Sequence, residues 1–162
     1  MMDRKCCYQL LFLLVLCAAC GDRRLPHEGK SVAELERMLH DADTNVQCQG
    51  ALGLSLQGPS ALPALPALKE LLHSPAALVR QNAALAVGKI GPDAREAVPA
   101  LMELLSDKEW AVRRQAALAL GEIGPEAKTV LPALEKLGRD ANEEVRKAAK
   151  QSVGKIRAET KR

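Results

Sequence analysis

Aromatic side chains make up only 2% of this 162-residue chain. Tyr8 and Phe12 fall within the first twenty residues, so Trp110 is the one aromatic over the remaining length. A platform that stacks nucleic-acid bases needs several rings, and none can be assembled from one. Charge of a single sign is scarce as well. The formal net charge is +3, with nine Lys/Arg against five Asp/Glu over residues 133–162 and twelve against fourteen over residues 20–132. Such a field is too weak to argue for nucleic acid. The longest apolar run, Leu10 to Ala19, has ten residues, half of what a helix needs to cross a bilayer.

What is present at the N-terminus reads as an address. Arg4 and Lys5 precede the apolar run, and small residues lead up to Cys20, which is the layout of a secretory signal. Leu16, Cys17, Ala18 and Ala19 ahead of Cys20 resemble a bacterial lipobox, with cysteine where leucine is usual three residues before the cut. The resemblance implies a signal over 1–19, acylation of Cys20 and a protein anchored to a membrane of a bacterial cell envelope, facing the periplasm or exterior. The alternative is an ordinary signal, which leaves a Cys20–Cys48 disulfide open. Cys48 is otherwise the one cysteine of the folded body, so no disulfide framework or metal quartet is expected. Residues 20–30, with Gly, Pro and charge but no hydrophobic period, read as a tether.

The rest repeats. At a period of 33 the copies are 34–66, 67–99, 100–132 and 133–162, and the middle two agree at 17 of 33 positions, which marks a repeat array. Within the array Gly88-Lys89 becomes Gly121-Glu122. A lysine that must neutralise phosphate cannot be exchanged for a carboxylate, so no phosphate loop is read there. Each copy offers a short helix with a leucine stripe, such as Leu101, Leu104 and Leu105, then a longer helix in which Val79, Ala83, Leu85, Ala86 and Ile90 suit packing on both sides. Ser31 with Glu34 forms a capping box at the first helix. Gly58, Gly91 and Gly124 fall where a helix ends at positive φ, and Pro59, Pro92 and Pro125 bar continuation. Gly88, Gly121 and Gly154 lie inside helices, where close approach by a neighbouring helix would explain them. Pro66, Pro99 and Pro132 open the next short helix.

This pattern resembles the HEAT-repeat family, specifically the short HEAT-like repeats of phycobilin lyases. The resemblance covers about 34–157 and rests on Val79-Arg80, Val112-Arg113 and Val145-Arg146, the A-A-L-A-x-G-x-I-G run, and Asp41, Asp107 and Asp140 in one register. It implies an all-α, right-handed α-solenoid of about four hairpins, with Asp and Arg tying successive turns together. Such solenoids offer a curved surface lined by their second helices and bind proteins on it. The partner-binding candidates are Arg80, Arg113, Arg114, Arg146, Lys147 and Lys150, a basic stripe suited to an acidic partner, with Trp110 at the turn edge as an exposed anchor. The alternative is an enzyme or enzyme accessory of the phycobilin-lyase type. No catalytic residue, cofactor, metal or small-molecule substrate is read from the chain: one His-Glu pair, His27-Glu28, exists, and it lies in the tether.

Overall fold

The computed structural model describes residues 25–160, so the signal and Cys20 lie outside the described residues. Those residues form eight α-helices: α1 (Val32–Leu39), α2 (Thr44–Gln57), α3 (Leu65–Leu71), α4 (Ala77–Ile90), α5 (Val98–Leu104), α6 (Trp110–Ile123), α7 (Leu131–Leu137) and α8 (Glu143–Thr160). Equivalent helices start 33 residues apart, which makes four hairpins of a short first and a long second helix. The second helices stack in order, α2 on α4, α4 on α6 and α6 on α8, and each first helix packs on the second helix of its own copy. Leu35, Leu68, Leu101 and Leu134 share one register position, and all four are fully buried. A side chain of that size contributes about 1.5–3 kcal/mol when removed from water, and the repeat places the same contribution in every hairpin.

The ends of the helices follow local chemistry. The Ser31 hydroxyl accepts from the Glu34 amide, while the Glu34 carboxylate accepts from the Ser31 amide at 2.8 Å. Pro66, Pro99 and Pro132 each occupy the first turn of a first helix. Gly58, Gly91 and Gly124 end the second helices at φ of 57°, 82° and 75°, with ψ of −131°, −144° and −136°. This is the mirror image of extended backbone rather than the left-handed helical well, a region open to glycine alone. The chain does not stop being helical there. The 3-10 segments Gly58–Ala64, Gly91–Ala97 and Gly124–Val130 follow at once, each with proline in its first turn. Proline bars an α-helix from continuing, but its fixed φ suits the start of a new helical segment.

Two readings of the sequence are corrected by packing. Residues 25–30 are not all tether. His27 is only 5% exposed, its Nδ1 lies 2.9 Å from Gln49 Oε1, and its Cβ sits where a side chain on Gly53 would be. Leu25-Pro26 stands 33 residues before Gly58-Pro59, so the turn is a shortened counterpart of the 3-10 segments. The close approach expected at interior glycines holds at Gly88, which faces Ala119, and at Gly121, which faces Ser152, but at Gly154 nothing lies within 4 Å.

Candidate functional site

Arginine and aspartate tie the turns between first and second helices into a ladder. Arg80 donates from Nε to Asp107 Oδ2 at 2.7 Å and from Nη2 to Asp107 Oδ1 at 3.0 Å. Arg113 grips Asp140 in the same way at 2.8 and 2.9 Å. Each arginine also donates from Nη1 to backbone carbonyls of its own turn, Ser74 and Pro75 for Arg80, Asp107 and Lys108 for Arg113. Each aspartate accepts one further backbone N–H, from Glu109 or Asn142. Burial alone would raise the Asp107 carboxyl, but the hydrogen bonds from Arg80 and the Glu109 amide outweigh it and hold it below the usual carboxylate range. The Arg113 fork does the same for Asp140, and Asp140 in turn raises Arg113. Paired forks of this kind are the stronger hydrogen bonds of a protein.

The ladder removes two candidates from the binding surface. Arg80 is 8% exposed, and both it and Arg113 have their donors committed to the turns. Arg146 clamps the carbonyls of Asp140 and Ala141 at 2.8 and 2.9 Å and has no carboxylate partner among the described residues. In the first copy Gln47 does the backbone part of this work, donating to the Asp41 carbonyl at 2.8 Å.

The second helices turn a different row outward. Residues spaced i, i+4, i+7 and i+11 share one helical face, and in α4 these are Leu78, Asn82, Leu85 and Lys89, all exposed or half-buried. Their equivalents are Asn45, Gln49, Leu52 and Leu56 in α2, and Ala111, Gln115, Leu118 and Glu122 in α6. Leu52, Leu85 and Leu118 thus make a half-buried apolar row, flanked by Leu78 and by Leu56, which is 71% exposed. Leu85, expected to be packed on both sides, is on this face. The signal was in the sequence: leucine recurs at one register about 100° or more around the helix from Val79, Ala83, Ala86 and Ile90. Arg114 is half-buried beside the row, with no ion pair among the described residues, whereas Lys147 is held by Glu143 at 2.9 Å and Glu144 at 3.2 Å. Lys150 takes the place of the buried Ala51, Ala84 and Ala117 and faces away from α6. With Leu134, Gly138, Arg139 and Val153 it lines a hollow of about 300 Å³, opened because Gly138 stands where Leu39, Leu72 and Leu105 fill the other copies. The basic stripe is therefore not continuous. Trp110, 46% exposed, lies apart at the start of α6.

Cys48 is half-buried; burial pushes its thiol up, and a hydrogen bond with Asn82 offsets this in part. Among the described residues no group of three or more His, Cys, Asp or Glu is placed to hold a metal ion, and His27, the histidine of the one His-Glu pair, is engaged with Gln49.

A family model described as HEAT repeats matches residues 65–154. This chain is a member of the HEAT-repeat family. No curated protein sequence matches it. Among solved structures, this HEAT-repeat chain is similar to a designed armadillo repeat protein in complex with the peptide (KR)4, at 26% identity and a TM-score of 0.67 over 77% of this chain and 64% of that one. It is similar to human deoxyhypusine hydroxylase at 27% identity and 0.62, over 85% and 47%. It also shares its fold with the CpcE–CpcF complex of phycocyanin lyase from Nostoc sp., at 19% identity and 0.58, over 86% and 70%. The chain spans less than two thirds of the first two. The HEAT array is an α-solenoid scaffold, a class that presents a repeated surface to other proteins.

Proposed function

We propose that this chain is a non-catalytic protein-binding scaffold, held to a membrane of a bacterial cell envelope by acyl groups on Cys20, that takes its partner on the second-helix face. The observation that carries the reading is the apolar row Leu52, Leu85 and Leu118 with exposed Leu78 beside it. Apolar side chains in repeat register at a half-open surface gain from being covered, although the inner side of Leu118 also packs against the core. Arg114 supports an acidic character for the partner, because among the described residues neither a carboxylate nor a turn carbonyl answers its charge, a condition that Lys150 alone in the former stripe shares. Lys150 belongs to the end of the stack, and Lys147 is neutralised by its neighbours, so both contribute less. The basic (KR)4 peptide belongs to the designed armadillo relative, and an acidic partner here would be of opposite sign.

Crosslinking on intact membranes compares the native chain with the double variant Leu78→Asp, Arg114→Glu. Both positions are outside the ladder and the core, so the helical circular dichroism is expected to stay unchanged while the crosslinked adduct is lost. An adduct of undiminished yield would remove this face and leave the Trp110 edge as the surface to test.

A further inference from the structure

We propose that the corner of the solenoid formed by Leu25, Leu56 and Leu62, with Lys30 and Lys89, seats against the headgroup layer of the membrane that holds the anchor; this rests on acylation of Cys20. The first support is distance. The turn Leu25–Lys30 is fixed to α2 by His27 on Gln49 at one end and by the Gln57 side-chain amide donating to the Lys30 carbonyl at 3.5 Å at the other. Only five peptide steps separate Cys20 from Leu25, and five residues span at most about 17 Å fully extended. The corner is kept beside the lipid while the opposite edge, with the ladder and Trp110, is free to face away.

The second support is chemistry. Leu25, Leu56 and Leu62 are exposed: Leu56 lies at the end of α2 just before the Gly58 reversal, Leu62 follows it in the segment Gly58–Ala64, and Leu25 stands in the preceding turn in register with Gly58. Lys89 is exposed, and its carbonyl lies 3.7 Å from where a Gly58 side chain would start, so its backbone reaches the Gly58 end of this corner. Glu28 is turned back onto the Leu25 amide at 3.1 Å. Later copies carry both signs at this edge, Asp93, Arg95 and Glu96 and then Glu126 and Lys128, with no exposed leucine, and Asp93, Arg95 and Glu96 share a hollow with Leu62. Leucine tips with lysines suit the interface between headgroups and acyl chains. Once an anchor is in the bilayer this contact is intramolecular, so a small apolar area suffices.

The test uses the acylated protein in phosphatidylcholine–phosphatidylglycerol vesicles containing nitroxide lipids. A fluorescent thiol label is placed through Leu56→Cys, Leu62→Cys or, as control, Met102→Cys, each with Cys48→Ser. Labels at 56 and 62 are expected to lose fluorescence to the nitroxides, while the label at 102 and the intrinsic Trp110 emission keep theirs. Quenching at 56 and 62 no greater than at 102 overturns the inference while leaving the anchor standing. Mass spectrometry of the same sample reports Cys20; an unacylated chain would overturn the anchor, and the inference with it.

Discussion

A methyl group added at Gly121 would lie 2.6 Å from the Ser152 hydroxyl oxygen, whereas one added at Gly154 would meet nothing within 4 Å. The two positions are sequence equivalents with opposite reasons to be glycine, and alanine separates them. Gly121→Ala forces α6 from α8 and strains the Ser152 hydrogen bond to the Ala117 carbonyl, which is 2.7 Å long; a loss of about 1–3 kcal/mol is expected from overpacking. Gly154→Ala replaces glycine in an open helix and is expected to gain about 0.5–1 kcal/mol. Urea unfolding of the two variants checks both signs. Gly91 offers a cleaner backbone test, because no atom lies within 4 Å of its missing side chain. At φ 82° and ψ −144° alanine is expected to cost on the order of 1–3 kcal/mol. Asparagine, which tolerates the left-handed helical well, is expected not to recover that loss; recovery by Gly91→Asn in thermal melts would contradict this backbone geometry.

At the scale of the element, each hairpin is held by its leucine stripe, and two rungs of the ladder join the second hairpin to the third and the third to the fourth. Leu104 is nearly buried, and Leu104→Ala is expected to cost about 2–5 kcal/mol. Asp107 and Asp140 titrate below their ordinary values in the fold. Their contribution is therefore whole above the unfolded carboxylate value of about 3.9 and is lost as pH falls through the lower folded values. Melting temperature followed from neutral into acid is expected to fall in that window, and Asp140→Asn to lose about 1–3 kcal/mol at neutral pH and to shallow the acid limb. Much of this was legible in the chain. The period, the capping box, the proline starts and the Asp–Arg register are local or recurrent, and each leaves a mark at a fixed offset. Which residues face outward was legible in part: the leucine register marks Leu52, Leu85 and Leu118, but what stacks beside a helix leaves no such mark, since Ala117 and Lys150 are equivalents and only the first is covered. The Leu25–Lys30 turn escaped because a single turn has no hydrophobic period, and its one mark, Pro26 in line with Pro59, Pro92 and Pro125, lies outside the four copies.

For the molecule as a whole, the proposed anchor would set where the scaffold works. Cys20→Ser is expected to move the protein from the membrane to the soluble envelope fraction, with the change read by fractionation and by the loss of acyl mass at the N-terminus. The folding of Leu25–Lys30 onto α2 means that little slack remains between that cysteine and the array. The ladder has a different implication. Arg80 meets Asp107 as Arg113 meets Asp140, and Gly88 meets Ala119 as Gly121 meets Ser152, so the seam between the second and third hairpins is interchangeable with that between the third and fourth. Array length is then a design variable: a tandem duplication of the block 100–132 supplies both halves of every new seam and should add a hairpin without any compensating substitution. Appended beyond α8, the same block would have to stack on Lys150 and span the hollow at Gly138, so growth is open at the interior seams and closed at that face.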